Sequence, residues 1–94
     1  MRIHWRRQAQ RDLQLLRSYI ARSNPAAATG IARRIRQAVD RLAATPQIGR
    51  PGRISGTREL VVAGTPYIVP YRIQGAEVQI LRVYHARRQW PDRL

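Results

Sequence analysis

The chain has no cysteine and no lysine, holds only five acidic residues among 94, and lacks any long hydrophobic run. Each shortage excludes something. Without cysteine there is no disulfide and no thiolate metal site, so ordinary packing must hold the fold and a reducing compartment is permitted. The first residues, Met-Arg-Ile-His-Trp-Arg-Arg, do not form the apolar core of a signal peptide. No segment approaches the roughly 20 apolar residues needed to cross a bilayer, so no membrane association and a cytoplasmic protein are expected. The length suits a single domain spanning 1–94 with a modest core.

All 18 basic residues are arginine, and the formal net charge is +13. A codon bias toward arginine accounts for the missing lysines but not for the scarcity of acids. A guanidinium presents a planar fork of donors that suits phosphate and carboxylate, which points to nucleic acid or an acidic protein as the partner.

Hydrophobic periodicity lays out the elements. Ile3 and Trp5 alternate with Arg2 and His4, the period of a half-buried strand. Over about residues 7–22, Ala9, Leu13, Leu16 and Ile20 fall on one helical stripe, with Arg11, Asp12 and Arg17 away from it. Asn24-Pro25 supplies an N-cap and a first-turn proline for a second helix, whose face is Ile31, Ile35, Ala38, Val39 and Leu42 and which ends near Thr45 ahead of Pro46. So short a link predicts an antiparallel helical hairpin. Residues 47–56, rich in glycine and arginine, read as a basic loop without regular structure. Strands follow over 57–63, 66–73 and 76–84, separated by turns at Gly64-Thr65 and Gln74-Gly75. Pro70, inside the middle strand, lacks a donor for its ladder and predicts a bulge. The expected fold is therefore α+β: a short N-terminal strand, an antiparallel helical hairpin, then a three-stranded antiparallel meander (β-α-α-β-β-β), with the helices on one sheet face and the other face partly open.

The end of the last strand concentrates chemistry in Ile80-Leu-Arg-Val-Tyr-His-Ala-Arg-Arg-Gln-Trp-Pro. Imidazole exchanges protons near neutral pH, and arginines hold phosphate, so His85 with Arg87 or Arg88 could serve phosphoryl transfer. His85 is also readable as a strand-end histidine bonded to backbone or to a partner. Tyr84 points to the opposite sheet face if the strand stays regular. Arg58 shares a side with Leu60 and Val62 and is a candidate either for target contact or for pairing with a carboxylate across the sheet. Arg72 and Arg82 project from strands as a basic patch or as solvated positions. Tyr67 and Tyr71 share a face and suit the core. Trp90 is costly to leave in water and should pack back on the domain or fill a partner's pocket.

With this order of elements, the chain resembles the RelE/ParE superfamily of toxins from bacterial type II toxin–antitoxin modules. The carriers are Asn24-Pro-Ala-Ala-Ala, Leu42-Ala-Ala-Thr-Pro-Gln-Ile-Gly-Arg-Pro-Gly, Thr57-Arg-Glu-Leu, Pro66-Tyr-Ile-Val-Pro-Tyr-Arg and the Ile80 to Pro91 stretch, five pieces in order over nearly the whole chain. The resemblance implies a toxin neutralised by a co-expressed antitoxin with an acidic C-terminal segment. One branch cleaves mRNA in the ribosomal A site, without a metal; the other binds DNA gyrase, and neither needs a cofactor. Where the ribonuclease branch usually carries an arginine or lysine, near the end of the first meander strand, this chain has Val62 or Ala63. That departure favours the gyrase branch. In either branch the contact residues for target or antitoxin would be Arg58, Arg82, Arg87, Arg88 and Trp90, and His85 and Arg87 would be catalytic only in a ribonuclease. A non-toxic basic nucleic-acid-binding module is the remaining reading, although no groove-reading helix or aromatic RNA-binding signature is present.

Overall fold

A computed structural model describes all residues from Met1 to Leu94. The elements are β1 (Arg2–Trp5), α1 (Arg7–Ala21), α2 (Pro25–Asp40), a 3-10 turn (Arg41–Ala43), β2 (Arg50–Pro51), β3 (Arg58–Val61), β4 (Tyr67–Gln74), β5 (Glu77–Ile80) and β6 (Tyr84–His85). They form one mixed sheet in the order β1-β5-β4-β3-β2, with β6 on β4 beyond the end of β5. The α+β class, the helical hairpin and the antiparallel β3-β4-β5 meander are as expected, and β1 joins the sheet parallel to β5.

Local chemistry explains the helix limits. Asn24 Oδ1 accepts the amide of Ala27 at 3.1 Å and Pro25 opens the first turn of α2, leaving one fewer orphan donor there. Along the hairpin seam Ala9, Ala28 and Ala32 are buried, and their small side chains let the two helices approach closely. The helices cover one sheet face. Leu13, Ile35, Val39 and Leu42 meet Leu60, Val62, Val69, Tyr71, Val78, Ile80 and Val83 in a single core.

Three features differ from the periodicity. The basic loop is not without structure, because Arg50 and Pro51 pair with Glu59 and Arg58 as a short edge strand. The last strand is two strands, not one. The bulge predicted at Pro70 appears on that neighbour: Tyr71 pairs with Ile80 and Ile68 with Tyr84, so Val69 and Pro70 face Leu81, Arg82 and Val83. Pro70 has no N–H to give, but its carbonyl accepts from Leu81 at 3.0 Å, and the extra residue falls where the ladder could not form.

One extra residue reverses the alternation beyond it. A regular strand would send Tyr84 to the helix side with Val78 and Ile80. Instead Val83 fills the core, while Leu81 and Tyr84 are buried on the other face beside Ile68 and Pro70. Asp12 of α1 holds this kink: Oδ2 accepts the Val83 amide at 3.0 Å and Arg82 Nε at 2.8 Å, and Oδ1 accepts Arg82 Nη2 at 3.0 Å. Asp12, away from the apolar stripe by spacing, is thus a buttress of the fold.

Candidate functional site

The bulge delivers the C-terminal residues to two sides of one sheet end. His85 lies on the helix side, exposed, with its ring edge-on to Tyr67 at 5.6 Å between centroids. Its Nδ1 accepts the backbone amide of Arg87 at 3.1 Å. That contact engages the Nδ1 lone pair with the chain's own backbone. Tyr67 is raised above the ordinary tyrosine value, chiefly by burial and then by Tyr19. Neither phenol nor imidazole has a carboxylate hydrogen-bonded to it to set up proton transfer.

The row that ends in His85 runs through Tyr67 to Val62, whose amide donates to the Tyr67 carbonyl at 3.1 Å. Val62 is 1% exposed and belongs to the core. No cation stands there, and exposed Ala63 next to it supplies none.

On the other face, Tyr84 and Trp90 pack edge to face with centroids 5.0 Å apart. Arg88 and Arg82 lie over Tyr84, their Cζ atoms 4.4 and 4.8 Å from its centroid, and Arg53 lies over Trp90 at 3.8 Å. Such cation–π stacking joins arginine side chains to aromatic surface without a carboxylate. Burial raises the Tyr84 phenol, while Arg82 and Arg88 pull it down. Trp90 therefore packs back on the domain, one of the two outcomes expected of it, against a buried Tyr84.

The basic loop reaches the same place through a residue that the sequence reading passed over. Glu59 is 2% exposed; its Oε1 accepts Arg50 Nη2 at 2.9 Å and Nε at 3.1 Å, and its Oε2 accepts the Arg53 amide at 2.8 Å. It is the tether of the loop that carries Arg53 onto Trp90. Its signal in the sequence is an acid at a strand position alternating away from Leu60, with arginines six and nine residues earlier. Glu59→Gln keeps the shape but sets an amide donor against donors. Because Arg50 and Arg53 are about half exposed (51% and 45%), water screens most of the charge loss, and the expected cost is about 1–2 kcal/mol. Chemical denaturation measures that cost, and a red shift of tryptophan emission reports release of Trp90; unchanged emission and stability would contradict the tether.

The remaining candidates sort by their partners. Arg58 is on the side of Leu60, as alternation requires, and its Nη1 donates to the carbonyls of Gln47 and Gly49 at 3.2 and 2.9 Å; backbone oxygens, not a carboxylate, are its partners. Arg82 is committed to Asp12, which holds its guanidinium above its ordinary range mainly through those hydrogen bonds. Arg72 shares the Gln79 side-chain oxygen with Arg6. Arg87 is exposed and its side chain makes no ion pair or hydrogen bond, so of the named arginines it is the freest to meet another molecule.

A two-helix hairpin backing a mixed sheet, with an arginine-rich rim at the sheet end, defines a small toxin of the RelE/ParE type. The family model described as the ParE toxin of the type II toxin–antitoxin system, parDE, matches residues 3–90. A curated relative described as "Putative toxin Y4kP", from Sinorhizobium fredii, is 52% identical over 91 residues, covering 97% of this chain and 94% of its own. Toxin RelE2 of Caulobacter vibrioides is 39% identical over 84 residues, 89% of this chain and 93% of that one. Among solved structures, the chromosomal ParDE system of P. aeruginosa superposes with a TM-score of 0.83 at 31% identity, over 90% of this chain and 95% of that one. The RelBE2 toxin–antitoxin complex of Mycobacterium tuberculosis gives 0.61 at 29%, over 89% and 88%. The chain belongs to the ParE toxin family of type II toxin–antitoxin systems.

Proposed function

We propose that this toxin acts by binding DNA gyrase and blocking it, without catalysing a reaction of its own, and that a co-expressed antitoxin with an acidic C-terminal segment neutralises it in the cytoplasm. The observation that carries this reading is the row from Val62 through Tyr67 to His85. Ribonucleolytic transfer needs a base for the 2′-OH and cations for the charged phosphorane. Here both residues at the cation's place, Val62 and Ala63, are uncharged, and the imidazole Nδ1 is engaged by a backbone amide. The match to the ParE family model supports the same choice. The +13 charge suits a partner segment rich in carboxylates, which would speed encounter most at low salt.

Purified toxin is expected to inhibit supercoiling by gyrase. Arg87→Ala should weaken that inhibition by roughly tenfold or more, since exposed arginines are frequent hot spots, and should leave the melting temperature unchanged. His85→Ala should retain inhibition. The alternative, a ribosome-dependent mRNA endonuclease, rests on His85 beside Arg87 and Arg88. Supercoiling untouched at saturating toxin, together with A-site cleavage in a translation extract that His85→Ala abolishes, would establish it instead.

A further inference from the structure

The helical hairpin carries a second concentration of arginine, and it shares no residue with the C-terminal rim. Arg33, Arg36 and Gln37 follow one another at helical spacing along α2, and Arg17 stands across the seam on α1. With Thr29 and the small floor residue Ala32, they line a hollow of about 250 Å³. The three ion pairs of the chain are Arg50–Glu59, Arg53–Glu59 and Arg82–Asp12, so none of these three arginines has an internal counter-ion. Asp40, one turn beyond Arg36, lines a neighbouring hollow together with Arg36 and Trp5, but no ion pair joins the two side chains. Three guanidiniums gathered on one cleft repel one another unless an anion joins them.

We propose that this cleft is a binding site for phosphoryl groups. The lining is mostly donor: three guanidinium forks and an amide, with Ala32 the single apolar contributor and the Thr29 hydroxyl donating to the Pro25 carbonyl of its own helix at 3.3 Å. Oxygens spread around a phosphorus match several forks at once, whereas an acidic helix from a protein partner would need an apolar seat for its own hydrophobic face. The alanine seam makes the site, because a larger residue at Ala32 would fill the floor between the helices. The phosphoryl group could come from the backbone of duplex DNA or from a free polyphosphate chain, and the chemistry of recognition is the same. This goes beyond the gyrase reading and does not depend on it, since it concerns a different face and a different ligand.

The test is equilibrium binding of purified toxin to a short labelled DNA duplex and, separately, to inorganic tripolyphosphate, across a salt series. R33Q/R36Q is compared with R2Q/R41Q, which removes the same charge from exposed positions outside the cleft. Glutamine keeps good helix propensity, and R17Q on the partner helix provides a second variant should the first unfold. R33Q/R36Q is expected to lose about tenfold or more in affinity and to flatten the salt dependence of DNA binding by about two in slope, one for each arginine. R2Q/R41Q should change affinity only slightly. Cleft-dependent binding of the duplex identifies a backbone phosphate, and cleft-dependent binding of tripolyphosphate alone identifies a free ligand. Equal losses in both double variants, or no saturable binding of either probe, would overturn the proposal.

Discussion

Asp12→Ala is expected to destabilise the toxin by about 2–4 kcal/mol, a little under the range for removing one partner from a fully buried, hydrogen-bonded ion pair, because this pair is partly buried. Its carboxylate and the Arg82 guanidinium are 11% and 19% exposed, so little water can replace the lost contact. The same carboxylate accepts the Val83 amide, a donor that the bulge has taken out of the sheet ladder. Its removal therefore strands a charge and a backbone N–H together. For a chain of this size the melting midpoint should fall by roughly 8 °C or more. Asp12→Asn should recover part of the loss, because an amide oxygen can still accept from Val83. An Arg82→Gln, Asp12→Asn double variant closer to wild type than the sum of the single losses would show that the pair acts as a unit. A melting curve for Asp12→Ala that overlays the wild type would mean that the bulge does not need the helix.

Tyr71→Phe is expected to cost about 2–4 kcal/mol, although it deletes one oxygen and leaves the ring. Tyr71 is fully buried, and its hydroxyl donates to the Pro46 carbonyl at 2.6 Å while accepting the Gly49 amide at 2.9 Å. It thus fastens the chain that leaves α2 to the centre of the sheet. Phenylalanine leaves a buried donor and a buried acceptor facing an apolar edge. Gly49 lies so close that a methyl group there would collide with the same phenol. Burial holds the Tyr71 phenol above its ordinary value of 10.0, and the Gly49 hydrogen bond and Arg58 offset this in part. The sign follows: the unfolded chain releases this proton first, so the stability is intact below about pH 10 and is lost as pH rises beyond it. In alkaline titrations of stability, Tyr71→Phe should start lower and decline less steeply above that pH. Equal stability of the two proteins at neutral pH would show that the hydroxyl bonds are not what holds the segment.

Much of the architecture could be read from one chain because it depends on local periodicity. The stripe through Leu13 and Leu16 defined α1, Asn24-Pro25 placed the start of α2, and glycines with positive φ at Gly64 and Gly75 mark the two turns of the meander. Both helix starts and the pairing of β3, β4 and β5 followed from those signals. The toxin character was also legible, through the five ordered segments of resemblance, whereas the arginine-rich, acid-poor composition pointed only to an anionic partner. The site was less so. Arg87 and Trp90 stood out as residues, but Arg82 looked like a contact residue and proved to be bound to Asp12, a partner 70 positions away.

What the sequence by itself determined is the set of elements, the core face of each and the sign of the surface. What only the tertiary structure decided is which side of the sheet the last residues occupy. Pro70 announced that something must give, yet no local rule says whether the proline strand or its neighbour takes the extra residue. The neighbour takes it, because Asp12 waits on α1 to receive the displaced Val83 amide, and that single step turns His85 toward the helices and Tyr84 toward Trp90. Hydrogen-bond partners brought together by folding carry that choice, and sequence spacing cannot express it.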